Sequence, residues 1–358
     1  MSIIVDDIKG KNKMNAIGNV EIGSKTFIIA EIGNNHIGDF NLAKQSLEAA
    51  ARCGVDAVKF QTFKPELLVD KHMPIFAHVP DKSLKTQRER SKKMALTNDE
   101  FIRLTEIAKE IGIMLLTTPF DKGSADFIDK YVPVFKIASG DVNNIPLLDH
   151  VLAKGKGMLV STGMCSQDEV DELVAYIPKG RLILFHCVAS YPTKPEDANL
   201  SLIPFYQQRY QIPIAYSDHT AGLTASMMAA AMGAVAIEKH FILDRSIPAG
   251  DIAVSLDPKE MTTLVNAIRE IDLMKGKPPR KLLDCEQYGK RTLRRTAYAK
   301  RPIAKDEGIL TDDVVWLRPM QDEGIVFKHF KGGYKLVAKH HIAMEEPLTM
   351  GNVSLQEI

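Results

Sequence analysis

Apolar runs of strand length recur along the chain, each followed by a segment with helical spacing. FIIAEI (27–32) precedes LAKQSLEAAARCG, and AVKFQ (57–61) precedes, after a long polar insertion, a helix predicted over 99–111. MLLTT (114–118) leads to a helix around 124–131, VFKIAS (134–139) to 145–154, and MLVST (158–162) to 167–177. LILFHC (182–187) leads to a segment near 200–210, IAYS (214–217) to TAGLTASMMAAAMGA, and VAIEKH (235–240) to 258–275. Strands this apolar belong to a sheet covered on both faces, hence parallel. Alternation with helices of ten or more residues says the same. Eight such units over about 250 residues match the size and count of a (β/α)8 TIM barrel, predicted over 27–275. The alternative is an open doubly wound sheet. That fold carries a glycine-rich phosphate loop after its first strand, and EIGNNHIGD does not match it.

The ends depart from this rhythm. Residues 1–26, with Gly18 and Gly23, predict an N-terminal extension containing a hairpin. The stretch 276–295, with its Lys-Pro-Pro core and basic excess, reads as a linker. Beyond it, AKRPIAKDEGILTDDV from Ala299 is echoed by AKHHIAMEEPLTMGNV from Ala338, allowing a one-residue gap. Two similar units predict a small, mostly β, pseudo-symmetric domain over 296–358. So small a domain is marginal alone and is expected to dock on something.

Polar residues inside apolar strand ends mark the candidate site, because a barrel binds its ligands at the C-terminal mouth. His219 and His240 each follow a short strand, with a buried small-residue helix predicted between them. Two imidazoles on adjacent strand ends suit a divalent metal with open coordination positions. The alternative, weaker for two at matched strand ends than for one alone, is that one or both are satisfied core residues. Lys59 and Lys136 also fall within strands, and burying them unpaired costs several kcal/mol each. With Thr118, Ser139, Ser161 and the Gly140 backbone they form a cradle for a phosphate or carboxylate. The alternative is a structural network with Glu31, Asp141 or Glu238. Gln61, His186, Asn143, Asn144 and Tyr191 belong to the same set of strand-end polar groups. A metal beside such a cradle can polarise a carbonyl or acidify water. Glu31 or Asp251 can orient hydroxyls or move a proton.

Composition narrows the partners. The 358 residues are 45% apolar and 25% charged, with 46 basic against 45 acidic side chains. That near-neutral balance gives no general attraction to nucleic acid or an anionic membrane. The four cysteines, Cys53, Cys165, Cys187 and Cys285, have no metal-type spacing and read as reduced thiols of a cytoplasmic protein. No apolar run approaches the roughly 20 residues of a membrane span. The charged N-terminus is no signal peptide. Neither a GxSxG elbow nor a Walker loop is present.

In order along the chain, IIAEIGNNHIGD, VKFQTF, TTPFD, FKIASGDVNNIPLL, LVSTGM, HCVASYPT, YSDHT, IEKHFILDR and SLDP resemble the sialic acid synthase family. AYAKRPIAKDEGILTDDVVWLRP resembles the antifreeze-like (SAF) domain that ends those proteins. The resemblance implies a transferase that condenses phosphoenolpyruvate with an open-chain N-acylated amino sugar, adds water and releases phosphate with C–O cleavage. It implies that His219 and His240 hold Mn²⁺ or Mg²⁺, and that Lys59, Thr118, Lys136, Ser139 and Ser161 hold phosphoenolpyruvate. Glu31, Gln61, Tyr191 and Asp251 would position the sugar and the attacking water. Arg318 would reach the partner subunit's barrel in a swapped homodimer. Two positions depart from the pattern. Ala189 stands where some relatives carry Asn, and Pro248-Ala249-Gly250-Asp251 where many carry Pro-Gly-Pro-Asp. Both face the sugar side, which leaves open N-acetylmannosamine, a six-carbon diacetamido sugar leading to legionaminic or pseudaminic acid, or a spore-coat or capsule sugar. A Schiff-base aldolase or lyase, or a non-catalytic carbohydrate-binding relative, are the competing functions.

Overall fold

A computed structural model describes residues 14–75, 83–318, 324–330 and 334–357. The predicted extension before Met14 lies outside the described residues. The chain divides into two compact units, the first ending at Gly276 and the second beginning at Lys277.

The first unit contains eight parallel strands: β1 (Phe27–Gly33), β2 (Ala57–Thr62), β3 (Met114–Pro119), β4 (Val134–Ile137), β5 (Gly157–Ser161), β6 (Leu182–Cys187), β7 (Ile214–Asp218) and β8 (Ala236–His240). Their order in the sheet is β3-β2-β1-β8-β7-β6-β5-β4. Sequence neighbours β3 and β4 therefore hold its two ends, and those ends lie against each other. The result is a nearly closed (β/α)8 barrel. Its principal helices are α1 (Phe40–Arg52), α2 (Asn98–Ile111), α3 (Lys122–Ile128), α4 (Ile145–Ala153), α5 (Gln167–Tyr176), α6 (Leu202–Tyr210), α7 (Thr224–Ala231) and α8 (Pro258–Met274). Capping boxes start three of them, at Thr97, Ser166 and Asp257, where a side chain bonds the third helical N–H and the glutamate there returns the bond. The polar insertion after β2 carries two short helices, Pro65–Leu68 and Gln87–Met94.

Strand alternation sorts the apolar residues into two cores. Ile28, Ala30, Val58, Phe60, Phe135, Val160, Leu184 and Ile237 face outward and pack against the helices. Ile29, Ala57, Leu116, Val134, Leu159, Phe185, Ala215 and Ala236 fill the barrel, one from each strand. Met14 and Ile17 join this inner core. Ile17 belongs to a hairpin, Ala16–Ile17 against Val20–Glu21, which closes the barrel end opposite the mouth.

The second unit begins with a short helix, Gln287–Thr292, inside the stretch read as a linker. Of the basic residues that suggest an extended segment, Lys290 and Arg291 sit on this helix. A two-stranded sheet follows, β9 (Thr296–Ala299) with β11 (Val314–Leu317). A three-stranded sheet joins β10 (Gly308–Ile309), β12 (Tyr334–Ala338) and β13 (Val353–Glu357). The internal repeat appears as reciprocal bonds. Ile303 and Ile342 exchange N–H to carbonyl bonds at 3.0 and 2.9 Å. Asp306 N donates to Ala338 O, and Glu345 N to Ala299 O. Asp306 and Glu345 both adopt φ of +65°. A pseudo-two-fold thus relates the halves, and Ile303, Ile309, Ile342 and Leu348 share one core.

Candidate active site

Two residues beyond each apolar layer position, the inward side chain becomes polar. Ile29 gives way to Glu31, Ala57 to Lys59, Leu116 to Thr118, Val134 to Lys136 and Leu159 to Ser161. Phe185 gives way to Cys187, Ala215 to Ser217 and Ala236 to Glu238. All eight of these side chains are buried. A complete polar ring therefore sits on a complete apolar one, as two-residue periodicity requires. Gln61, His219 and His240 lie one step nearer the mouth.

Charge in this ring is tightly paired. Lys59 Nζ lies 3.0 Å from Glu31 Oε2 and 3.5 Å from Glu238 Oε1. It also donates to Thr118 Oγ1 at 3.1 Å. Lys136 Nζ donates to Ser161 Oγ at 2.6 Å and lies 4.0 Å from Glu238 Oε1. Ser217 Oγ donates to Glu238 Oε1 at 3.2 Å. The lysines pair with Glu31 and Glu238, as the network alternative expects, and their other bonds go to Thr118 and Ser161. Burial raises the Glu31 carboxyl to about 7 despite Lys59. Burial also pushes against Glu238, but Lys136 and Lys59 outweigh it and hold that carboxyl low. Burial lowers Lys136, whereas for Lys59 the two glutamates overcome burial and raise it. The ring thus separates two carboxylates into a proton holder and an anion.

Gly33 makes this packing possible. The β1–β2 register shifts between Glu31 and Gly33, and Gly33 takes φ of +53°. A Cβ there would lie 3.0 Å from Glu31 Oε1 and 3.6 Å from Gln61 Nε2. Gln61 Oε1 accepts from Asn34 Nδ2 at 2.9 Å.

The imidazoles stand side by side, with His219 and His240 ring centroids 5.4 Å apart. Tyr191 stacks on His219 at 4.1 Å and meets His240 edge-on at 5.9 Å. His219 Nδ1 bonds Val188 O at 2.8 Å, which makes it the protonated nitrogen and leaves Nε2 a lone pair. Burial lowers His219 to about 4 and His240 to about 3, so both are free bases at neutral pH. His240 Nδ1 and Glu238 Oε2 are buried without a hydrogen-bond partner. Asp251 Oδ2 is 3.8 Å from His240 Nδ1. Among the described residues, no group of three or more His, Cys, Asp or Glu side chains is arranged to hold a metal.

Other expected residues lie outside the eight ring positions. Ser139 is not in β4 but in the following turn, where its Oγ accepts from Gly163 N at 2.9 Å. Asn144 caps α4, accepting from Leu147 N and bonding Asp141. Arg318 is exposed beyond β11, in the second unit. His186, expected at the mouth, faces the helices instead. It has the strand parity opposite to Phe185 and Cys187, and its Nε2 bonds Ala198 O at 2.8 Å. Ser217 and Cys187 are chamber residues that residue type alone does not reveal. Counting back by twos from His219 and forward from Phe185 finds both.

The mouth of this (β/α)8 barrel thus gathers two buried lysines, two buried carboxylates and two neutral imidazoles, the chamber of a (β/α)8 enzyme. Residues 46–279 match the NeuB family. The chain is 39% identical over 305 residues to N,N'-diacetyllegionaminic acid synthase of Legionella pneumophila, covering 82% of this chain and 85% of that one. It is 34% identical over 303 residues to human N-acetylneuraminate-9-phosphate synthase, covering 83% and 84%. The crystal structure of N-acetylneuraminic acid synthetase from Leptospira borgpetersenii in complex with citrate superposes with a TM-score of 0.69. That match has 34% identity and covers 76% of this chain and 94% of that one. The chain belongs to the NeuB family.

Proposed function

We propose that this protein is a nonulosonic (sialic-acid-like) acid synthase. It condenses phosphoenolpyruvate with the aldehyde of an N-acylated amino sugar and releases inorganic phosphate. The buried Lys59–Glu31–Glu238–Lys136 ring beside the paired imidazoles carries this reading, together with relatives named for legionaminic and neuraminic acid synthesis.

Lys59, Thr118, Lys136, Ser139 and Ser161 hold the phosphate and carboxylate of phosphoenolpyruvate, and both ammonium groups offset its charge. His219 and His240 hold Mn²⁺ or Mg²⁺. The donor set fits such an ion, since both rings are neutral and His240 Nδ1 lacks a partner. When bound, the cation polarises the acceptor aldehyde. Carbon 3 of phosphoenolpyruvate attacks that carbonyl carbon, and Glu31, with its raised carboxyl, gives the aldehyde oxygen its proton. Water then adds to carbon 2 as Asp251 takes one of its protons, and the C–O bond to phosphate breaks as the new hydroxyl's proton passes to the departing phosphate, leaving the ketone. Gln61 and Tyr191 hold the sugar. Asn144 shapes the phosphate-side loop through its cap.

The domain limits follow the same reading: an extension over 1–26, a catalytic barrel over 27–275, a linker over 276–295 and an SAF domain over 296–358. The protein works as a swapped homodimer in the cytoplasm, with Arg318 completing the partner's site. Among the described residues, no helix is long and apolar enough to cross a membrane.

Phosphate release from phosphoenolpyruvate, measured across a panel of N-acylated amino sugars with Mn²⁺ or Mg²⁺, tests the function. Release is expected only when sugar and cation are both present. Release with no sugar, or none with any sugar, would overturn it. Borohydride with pyruvate is expected to leave Lys59 and Lys136 unmodified, because condensation here needs no Schiff base.

A further inference from the structure

Lys239 lies between the two chamber residues Glu238 and His240, so strand parity sends it out of the barrel. It is nonetheless wholly buried, as is Asp218, its register partner on β7. Lys239 Nζ sits 3.1 Å from Asp218 Oδ2 and donates to Thr220 O at 2.5 Å. Asp218 Oδ1 accepts from both Thr220 N and Thr220 Oγ1, each at 2.8 Å. Asp218 Oδ2 accepts from Ser226 Oγ at the start of α7, at 2.5 Å. The turn carrying His219 is thus bonded on both flanks, and its carbonyl accepts from Thr193 N at 2.8 Å.

One member of this ion pair is covalently next to His219, and the other is next to His240. An apolar pair of similar volume would stabilise the wall at least as well, because two buried charges seldom repay their desolvation. What an apolar pair cannot supply is the set of directed bonds that fixes residues 218–220 against β8.

We infer that Asp218 and Lys239 are positioning residues that set the spacing of the His219 and His240 rings from outside the barrel wall. This rests on the proposed cation site only for its ligand. The ring spacing itself belongs to the metal-free protein.

Asp218→Leu with Lys239→Met keeps the volume and removes both charges. This double variant is expected to fold cooperatively with a melting temperature near that of the wild type. In the metal-free protein, the ¹³C-histidine NMR signals of His219 and His240 should move while that of the distant His150 stays. Mn²⁺ affinity, read from the EPR signal of free ion, should fall by about tenfold or more, the usual effect of disturbing the surroundings of a metal ligand. Unmoved His219 and His240 signals in a folded variant would overturn the inference. If those signals move but the wild type takes up no Mn²⁺, the positioning role stands and the proposed cation fails. The single variant Ser226→Ala, which keeps the ion pair and removes one bond to Asp218, should show a smaller change in both readouts.

Discussion

Glu31 is the residue on which the proposed chemistry and the protein's pH response meet. Its carboxyl rises from 4.5 to about 7 in the fold because burial outweighs the Lys59 ammonium. Between those values the folded state keeps a proton that the unfolded chain has released, so stability falls as pH rises through the window. The histidines act in the opposite sense. With folded values near 4 and 3, they refuse protons that the unfolded chain takes up below about 6.5, so stability falls as pH drops below that. Glu31→Gln removes only the first effect. Relative to wild type, the metal-free variant should gain stability progressively from pH 4.5 to 7.5, by on the order of 3 kcal/mol. Melting curves across that range check this, and parallel curves for the two proteins would refute the raised carboxyl. Turnover in the variant should fall at least a hundredfold, within the usual contribution of a proton-transferring group, about 10²–10⁴.

At the scale of elements, Asn144 shows how a candidate site residue can be held by its own helix. Its side chain accepts from Leu147 N and donates to Asp141. Asn144→Ala should cost about 1 kcal/mol as a lost cap, while KM for phosphoenolpyruvate changes less than twofold. A tenfold rise in KM would instead make Asn144 a direct ligand. The N-terminal hairpin offers the complementary case, since Ile17 is fully buried in the inner core at the end away from the mouth. Ile17→Ala should cost roughly 2–5 kcal/mol, the range for a large-to-small core substitution, with both KM values unchanged. Steady-state kinetics beside chemical denaturation separates the two effects. These elements also show what the sequence can carry. Strand positions are legible because apolar runs repeat, and the chamber because polar residues interrupt those runs. His186 is misplaced when its type is weighed without its parity, and Ser217 escapes because serine draws no notice in a strand. The helical turn at Gln287–Thr292 is hidden among basic residues with no apolar stripe. The bond that occupies Asn144 is local geometry, invisible to spacing.

At the scale of the molecule, the remaining question is how the small unit serves the barrel. The two units have separate cores, and the second offers an exposed arginine, Arg318, beyond β11. If Arg318 acts within its own chain, a protein lacking His240 and one lacking Arg318 are both dead, and mixing them restores nothing. If it acts across a two-fold, each chain presents its arginine to the other's chamber, as closed symmetric dimers allow. His240→Ala and Arg318→Ala chains co-expressed in equal amounts then form mixed dimers about half the time. In each mixed dimer the barrel with intact His240 receives an intact Arg318, and the other site lacks both. Half of the dimers with half of their sites working gives about a quarter of wild-type activity, from two proteins that are each inactive alone. Phosphate release by the co-expressed mixture, before any separation of its dimers, reads this directly. Recovery near a quarter supports exchange of the small unit between subunits. A mixture as inactive as its components places Arg318 in its own chain's site, and an Arg318→Ala protein that is active alone places it in none.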